Sequence, residues 1–202
     1  MRRTALSVAL LLSLTATSIN SDYQLGVGGP SFQTKESLPS DDIFEVDTEA
    51  VDKILATELS LEEVKRELLD IKTVETVKPD IWPVVGVITS DFGWRRIGGR
   101  SEFHTGIDIS VPYGTPVSST ADGKVIYAGW IRGYGKTVIV YHGYGFVTLY
   151  AHLSEIDVKY GDKVVKGQII GKVGTTGRAF GAHLHYEVLK YGIRQNPIAY
   201  LP

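Results

Sequence analysis

Beyond Trp82 the chain is written as short β-rich runs separated by glycine, and that punctuation limits the folds open to it more than any other feature. Lys124 to Gly129, Thr137 to Tyr141, Phe146 to Tyr150 and His183 to Leu189 are rich in β-branched, aromatic and aliphatic residues. Most of the 22 glycines of the 202-residue chain fall in this part. Short strands at regular spacing with turn residues between them predict a mainly β domain, an antiparallel β-sandwich or partly open barrel. With 43% apolar residues, a chain of this length can supply a core for one domain plus extra segments.

In a strand, alternate side chains share a face. The run Gly181-Ala182-His183-Leu184-His185-Tyr186-Glu187-Val188 therefore points His183 and His185 the same way, with Leu184 toward the core. Two imidazoles on one strand face can fill one site, one holding a metal and the other handling a proton. The plainer alternative is a surface pair on a half-exposed strand. His104 lies four residues before Asp108. Helix is disfavoured there by Gly106, by the β-branched Thr105, Ile107 and Ile109, and by Pro112 and Gly114 close behind. A loop running into a strand, with Gly106 allowing the bend, can instead bring His104 and Asp108 around one point; the competing reading is an Asp that caps a turn near an unrelated His.

Zinc in hydrolases usually keeps three protein ligands and an open position where a bound water is acidified. His104, Asp108 and one member of the His183/His185 pair would complete such a set. The chain has no cysteine, which excludes thiolate sites and disulfides. Two His and one Asp leave a positive centre, suited to polarising a carbonyl.

From about Trp82 to Pro202, roughly the C-terminal three-fifths, the chain resembles the lysostaphin-type zinc endopeptidases that cut peptidoglycan peptides. The motifs that carry the resemblance are Ser90-Asp91-Phe92-Gly93-Trp94-Arg95, His104-Thr105-Gly106-Ile107-Asp108, Gly114-Thr115-Pro116-Val117, Thr148-Leu149-Tyr150-Ala151-His152-Leu153, Gly167-Gln168-Ile169-Ile170-Gly171 and His183-Leu184-His185-Tyr186-Glu187, in the family's order. The resemblance implies that His104, Asp108 and His185 bind one Zn2+ per chain and that His183 and His152 are catalytic histidines. It implies the same β architecture. Some relatives have lost zinc ligands and regulate amidases; here all five positions are filled with the expected types. The alternative function is accordingly a non-enzymatic cell-wall-binding regulator or amidase activator.

Peptide hydrolysis by a zinc-activated water needs a group to take the water's proton and a group to protonate the leaving amine. His183, beside ligand His185, is read as the base, and His152 as orienting water or stabilising the oxyanion. A buried histidine hydrogen-bonded near a strand end is the competing view of His152. His142, before the turn Gly143-Tyr144-Gly145, is read as structural. Tyr134, Tyr144, Phe180 and Arg178, on Gly-rich loops, are candidates to line a peptide groove.

The N-terminal part has a separate organisation. Met1-Arg2-Arg3, the apolar Ala5 to Leu14 and the small residues after it are laid out as a secretory signal peptide over residues 1–20, too short to span a bilayer securely. Residues 21–80 are expected to form an irregular lead, a helical segment and a linker from Thr73 to Asp80. Val51, Ile54 and Leu55 predict one helix, and Ser60-Leu61-Glu62-Glu63 reads as a capping box opening a second. These helices, residues 48–71, could dock on the domain at 81–202 or on an envelope protein partner. A net charge of −2 gives no footprint for nucleic acid. Tyr160 to Gly171 is similar to the paired turns of biotinyl and lipoyl carriers, but the usual setting of a modifiable lysine is missing. The expected protein is an exported peptidase acting on peptidoglycan peptides, with the periplasm favoured over the exterior or cell wall.

Overall fold

The computed structural model describes residues 46–58, 74–97 and 99–202. The expected signal peptide, the irregular lead and the second helix opening at Ser60 lie outside the described residues. Among the described residues no helix is long and apolar enough to cross a membrane.

Helix α1 runs Thr48–Glu58. The Asp47 carboxylate accepts the Ala50 N–H at 2.8 Å, satisfying one of the amides a helix start leaves unpaired. The stretch expected to be a linker contains a single turn, α2 (Val74–Val77), whose Val77 is buried.

Among the described residues twelve strands follow: β1 (Val87–Ser90), β2 (Gly93–Ile97), β3 (Arg100–His104), β4 (Ile107–Ser110), β5 (Pro116–Ser118), β6 (Gly123–Ile131), β7 (Gly135–Gly143), β8 (Phe146–Ile156), β9 (Lys163–Val164), β10 (Ile169–Val173), β11 (His183–Lys190) and β12 (Ile193–Gln195). Ten form one antiparallel sheet along the path β1-β4-β11-β8-β7-β6-β9, with β12 beside β11 and β10 joining β5 to β8. β2 and β3 form a separate hairpin. The domain is mainly β and antiparallel, as the glycine-punctuated runs predict, and the sheet does not close into a barrel.

The central strands are buried on both faces, so alternation sorts their side chains into two cores. On β7, Val138 and Val140 join Ile107, Ile109, Tyr150, Leu184, Tyr186 and Val188 on one face. Ile139 and Tyr141 join Val147, Leu149, Ala151 and Leu189 on the other, where Val51 and Leu55 of α1 dock. The α1 helix thus covers part of the face that also carries His183, His185 and Glu187, the alternate positions of β11. Leu184 faces the core, as alternation requires.

Candidate active site

Sheet register brings the distant motifs together. His185 on β11 is paired with Asp108 on β4 and, across its other edge, with Ala151 on β8. His104 ends β3, and the chain then turns through Thr105 and Gly106 into β4. The reason for glycine at 106 differs from the bend expected of it. A Cβ there would lie 2.3 Å from the Tyr186 carbonyl oxygen, so the corner must pass directly against β11. A Gly106→Ala chain should push β4 and β11 apart between the two strands that carry Asp108 and His185. The expected result is a stability loss of about 3 kcal/mol in denaturant unfolding together with weakened metal retention.

The three groups converge at the floor of an open cleft of about 1150 Å³. His104 Nε2 is 3.1 Å from Asp108 Oδ1 and 3.1 Å from His185 Nδ1, and His185 Nδ1 is 2.9 Å from Asp108 Oδ1. Donor atoms of a tetrahedral zinc with bonds of about 2.0–2.1 Å stand roughly 3.3 Å apart, so this triangle matches a zinc ligand set. The outer ring nitrogens are also committed. His104 Nδ1–H donates to the Asp91 carbonyl at 2.7 Å, and His185 Nε2–H donates to Glu187 Oε1 at 3.0 Å. With a metal at the shared point each ring would be neutral and would turn a lone pair toward it, the tautomer a metal ligand needs.

The charge balance asks for a cation. Burial alone would raise the Asp108 carboxyl, yet hydrogen bonds from His104 and His185 hold it well below the usual carboxylate range. Burial opposes charge on His185, but Asp108 and Glu187 outweigh it and raise its pKa to about 9. A fully buried Glu187 and a partly buried Asp108 around two imidazoles favour positive charge at their centre, which a proton or a divalent cation can supply. The donor set fits zinc.

His152 and His183 face this cluster from one side, with their rings 4.7 Å apart. A regular β8 would point His152 away from Ala151, to the opposite face. Instead, pairing with β7 slips by one residue between Tyr150 and Leu153, and His152 takes a left-handed φ of 60°. This bulge swings the imidazole into the cleft. Its Nδ1–H donates to the Thr176 carbonyl at 2.8 Å. The loop carrying Thr176 can come so close because residue 177 is glycine, where a Cβ would stand 2.4 Å from the Gly133 carbonyl oxygen. His183 Nδ1–H donates to the Gly181 carbonyl at 2.9 Å. Both rings thereby leave Nε2 with a lone pair, and that of His183 is 3.8 Å from Asp108 Oδ1. Burial, then the neighbouring His185 and His183, lowers the His152 pKa to about 3.

Residues 102–197 match peptidase family M23, and a solved catalytic domain of the antimicrobial peptidase lysostaphin from Staphylococcus simulans is 32% identical, with a TM-score of 0.53 over 57% of this chain and 91% of that one. The chain belongs to peptidase family M23. A zinc containing peptidase from Vibrio cholerae is 40% identical, with a TM-score of 0.56 over 60% of this chain and 40% of that chain. The DD-carboxypeptidase/endopeptidase Mpg of Neisseria meningitidis serogroup B is 46% identical over 114 residues, 55% of this chain and 26% of Mpg. The chain spans about a quarter of the length of the curated relatives it matches first.

Of the groove candidates, Tyr134, Arg178 and Phe180 line the cleft of this M23 domain, and Tyr144, in the β7–β8 turn, is not among its lining residues. Arg178 is anchored by Glu102 at 2.8 Å, and Arg95 reaches Glu102 and Asp108, each at 3.2 Å. His142 lies away from the cleft, within 2.7 Å of Thr148 Oγ1 and with its Nδ1 2.9 Å from the Asp122 carbonyl.

Sequence reasoning did not single out Glu187 as a site residue. Its side chain is fully buried, and Oε1 accepts from His185, from the Tyr134 hydroxyl at 2.6 Å and from the Thr105 hydroxyl at 2.5 Å. Burial and the Glu187 charge hold the Tyr134 hydroxyl well above its ordinary pKa, so it remains a donor. The signal was present: alternation that aligns His183 with His185 places Glu187 next in the same row.

Proposed function

We propose that this chain is an exported zinc metalloendopeptidase that hydrolyses peptide bonds in peptidoglycan stem peptides or cross-bridges. Membership of peptidase family M23 and the likeness to endopeptidase relatives support a peptidoglycan peptidase. The observation that carries the finer reading is the convergence of His104 Nε2, Asp108 Oδ1 and His185 Nδ1 beside two further histidines.

His104, Asp108 and His185 would hold the zinc, which when bound acidifies water and polarises a carbonyl. His183, at the more open side of the cleft, takes the proton released from water and passes it to the leaving amine. His152, kept neutral by burial, orients the water and the developing oxyanion through Nε2. Arg95 steadies Asp108 through its second oxygen. Export through the signal read in residues 1–20 places the enzyme in the cell envelope, the periplasm favoured.

Elemental analysis of the purified chain, run beside peptidoglycan digestion with and without chelator, tests this reading. About one zinc per chain and chelator-sensitive release of peptide fragments are expected. Zinc without turnover would replace the enzyme with a wall-binding regulator or amidase activator, and a zinc-free chain that still releases peptides would remove the metal from the mechanism.

A further inference from the structure

We propose that helix α1, which precedes the family-matched residues 102–197, is part of the metal site, with Asp52 and Arg194 as positioning residues for ligand His185. The proposal rests on the zinc reading given above.

A continuous polar path joins them. Asp52 Oδ1 on α1 accepts from Arg194 Nη1 at 3.0 Å. Arg194 Nε donates to Glu187 Oε2 at 3.2 Å, and Glu187 Oε1 accepts His185 Nε2–H at 3.0 Å. Glu187 has no solvent exposure, and burying a carboxylate is costly unless a positive group faces it. Among the described residues its ionic partners are His185 and Arg194. A histidine serving a metal is a neutral imidazole, so Arg194 is then the side chain left to compensate Glu187. Loss of the Arg194 bond frees Glu187 Oε2 and lets the carboxylate turn away from the His185 Nε2–H that it accepts. The ring that aims Nδ1 at the metal would lose its anchor.

Arg194 sits on the short β12, and its outer end is held by α1. The helix is docked by Val51 and Leu55, both buried against the face that carries the histidine row. A second link starts one residue before the helix. The Asp47 N–H donates to the Arg132 carbonyl at 3.2 Å, two residues before Tyr134, whose hydroxyl reaches the same Glu187 oxygen. Val46 and Thr48 themselves line the cleft. Glu187 gathers these links from β12, the β6–β7 turn and the Thr105 corner, and passes them to one ligand ring. Partners of this kind typically set metal affinity within about 10- to 100-fold.

The test compares zinc affinity, by competition with a chelator, and the absorption spectrum of the cobalt(II)-substituted protein in Asp52→Asn, Glu187→Gln and the control Glu49→Gln. Glu49 lies on the same helix, exposed and paired with Lys53. Glu187→Gln should weaken zinc by roughly 10- to 100-fold and Asp52→Asn by roughly tenfold, with the cobalt band displaced in both. Glu49→Gln should match wild type. Adding Asp52→Asn to Glu187→Gln should weaken zinc no further, because the two act along one path; a merely structural loss would add. Wild-type affinity and an unshifted cobalt spectrum in Asp52→Asn would overturn the proposal while leaving the zinc reading standing. Failure of the wild-type chain to take up either metal would overturn both.

Discussion

An Asp108→Ala chain is expected to purify without zinc and to release no peptide from peptidoglycan, while its sheet stays intact. Asp108 Oδ1 sits within 3.1 Å of both inward ring nitrogens, so its removal takes away one of the three proposed ligands and the negative charge that would draw a cation to the other two. The strand itself should tolerate the change, since β4 is held by backbone pairing to β1 and β11. The side chain contributes to the cleft rather than to either apolar core. Losing the electrophile removes several kcal/mol of transition-state stabilisation, so turnover should fall by about 10³-fold or more. Elemental analysis and peptide release, read beside the unfolding midpoint, check this. A variant that keeps zinc and turnover would show that the metal is held elsewhere.

The second large effect belongs to His152 and His183, which the proposed mechanism uses without assigning them to the metal. His152→Ala and His183→Ala should each retain about one zinc per chain yet lose roughly 10²- to 10⁴-fold in kcat/KM, the usual range for a positioned acid–base group. His152 has its pKa lowered to about 3 by burial and by its neighbours, so it is neutral throughout the working range. The loss in His152→Ala should therefore be the same factor at every pH between about 5 and 8. Because neutral His152 is favoured inside and a free histidine charges more readily, the folded chain binds fewer protons than the unfolded one between about 3 and 6.5. That difference makes the His152 contribution to stability rise with pH across this window and level off above it. A His152→Ala loss confined to the acid side would contradict the neutral role, and zinc lost from either variant would recast that residue as a ligand.

The parts of the site that could be read from the chain are those governed by local rules. Alternation along a strand aligned His183 with His185 and sent Leu184 to the core, and the glycine-rich spacing of β-rich runs pointed to an antiparallel sheet. The resemblance supplied the grouping of His104, Asp108 and His185, which the structure brings within hydrogen-bonding distance. His152 was readable as a candidate but not as a geometry. A strand pattern at Tyr150-Ala151-His152 sends its ring to the wrong face, and only the bulge against β7 reverses it.

The class of architecture, the family and the identity of the side chains that can hold a cation or move a proton were legible in the chain alone. The architecture follows from residue type and from spacing within one strand or one corner, and the family and the roles of those side chains follow from the resemblance of whole motifs. The tertiary structure alone decided which backbone carbonyls set the tautomers, why Gly106 must lack a side chain, and how Glu187 joins Arg194 and Asp52. These depend on contacts between segments far apart in the chain, such as Asp52 and Arg194, 142 positions apart, for which no local periodicity carries a signal.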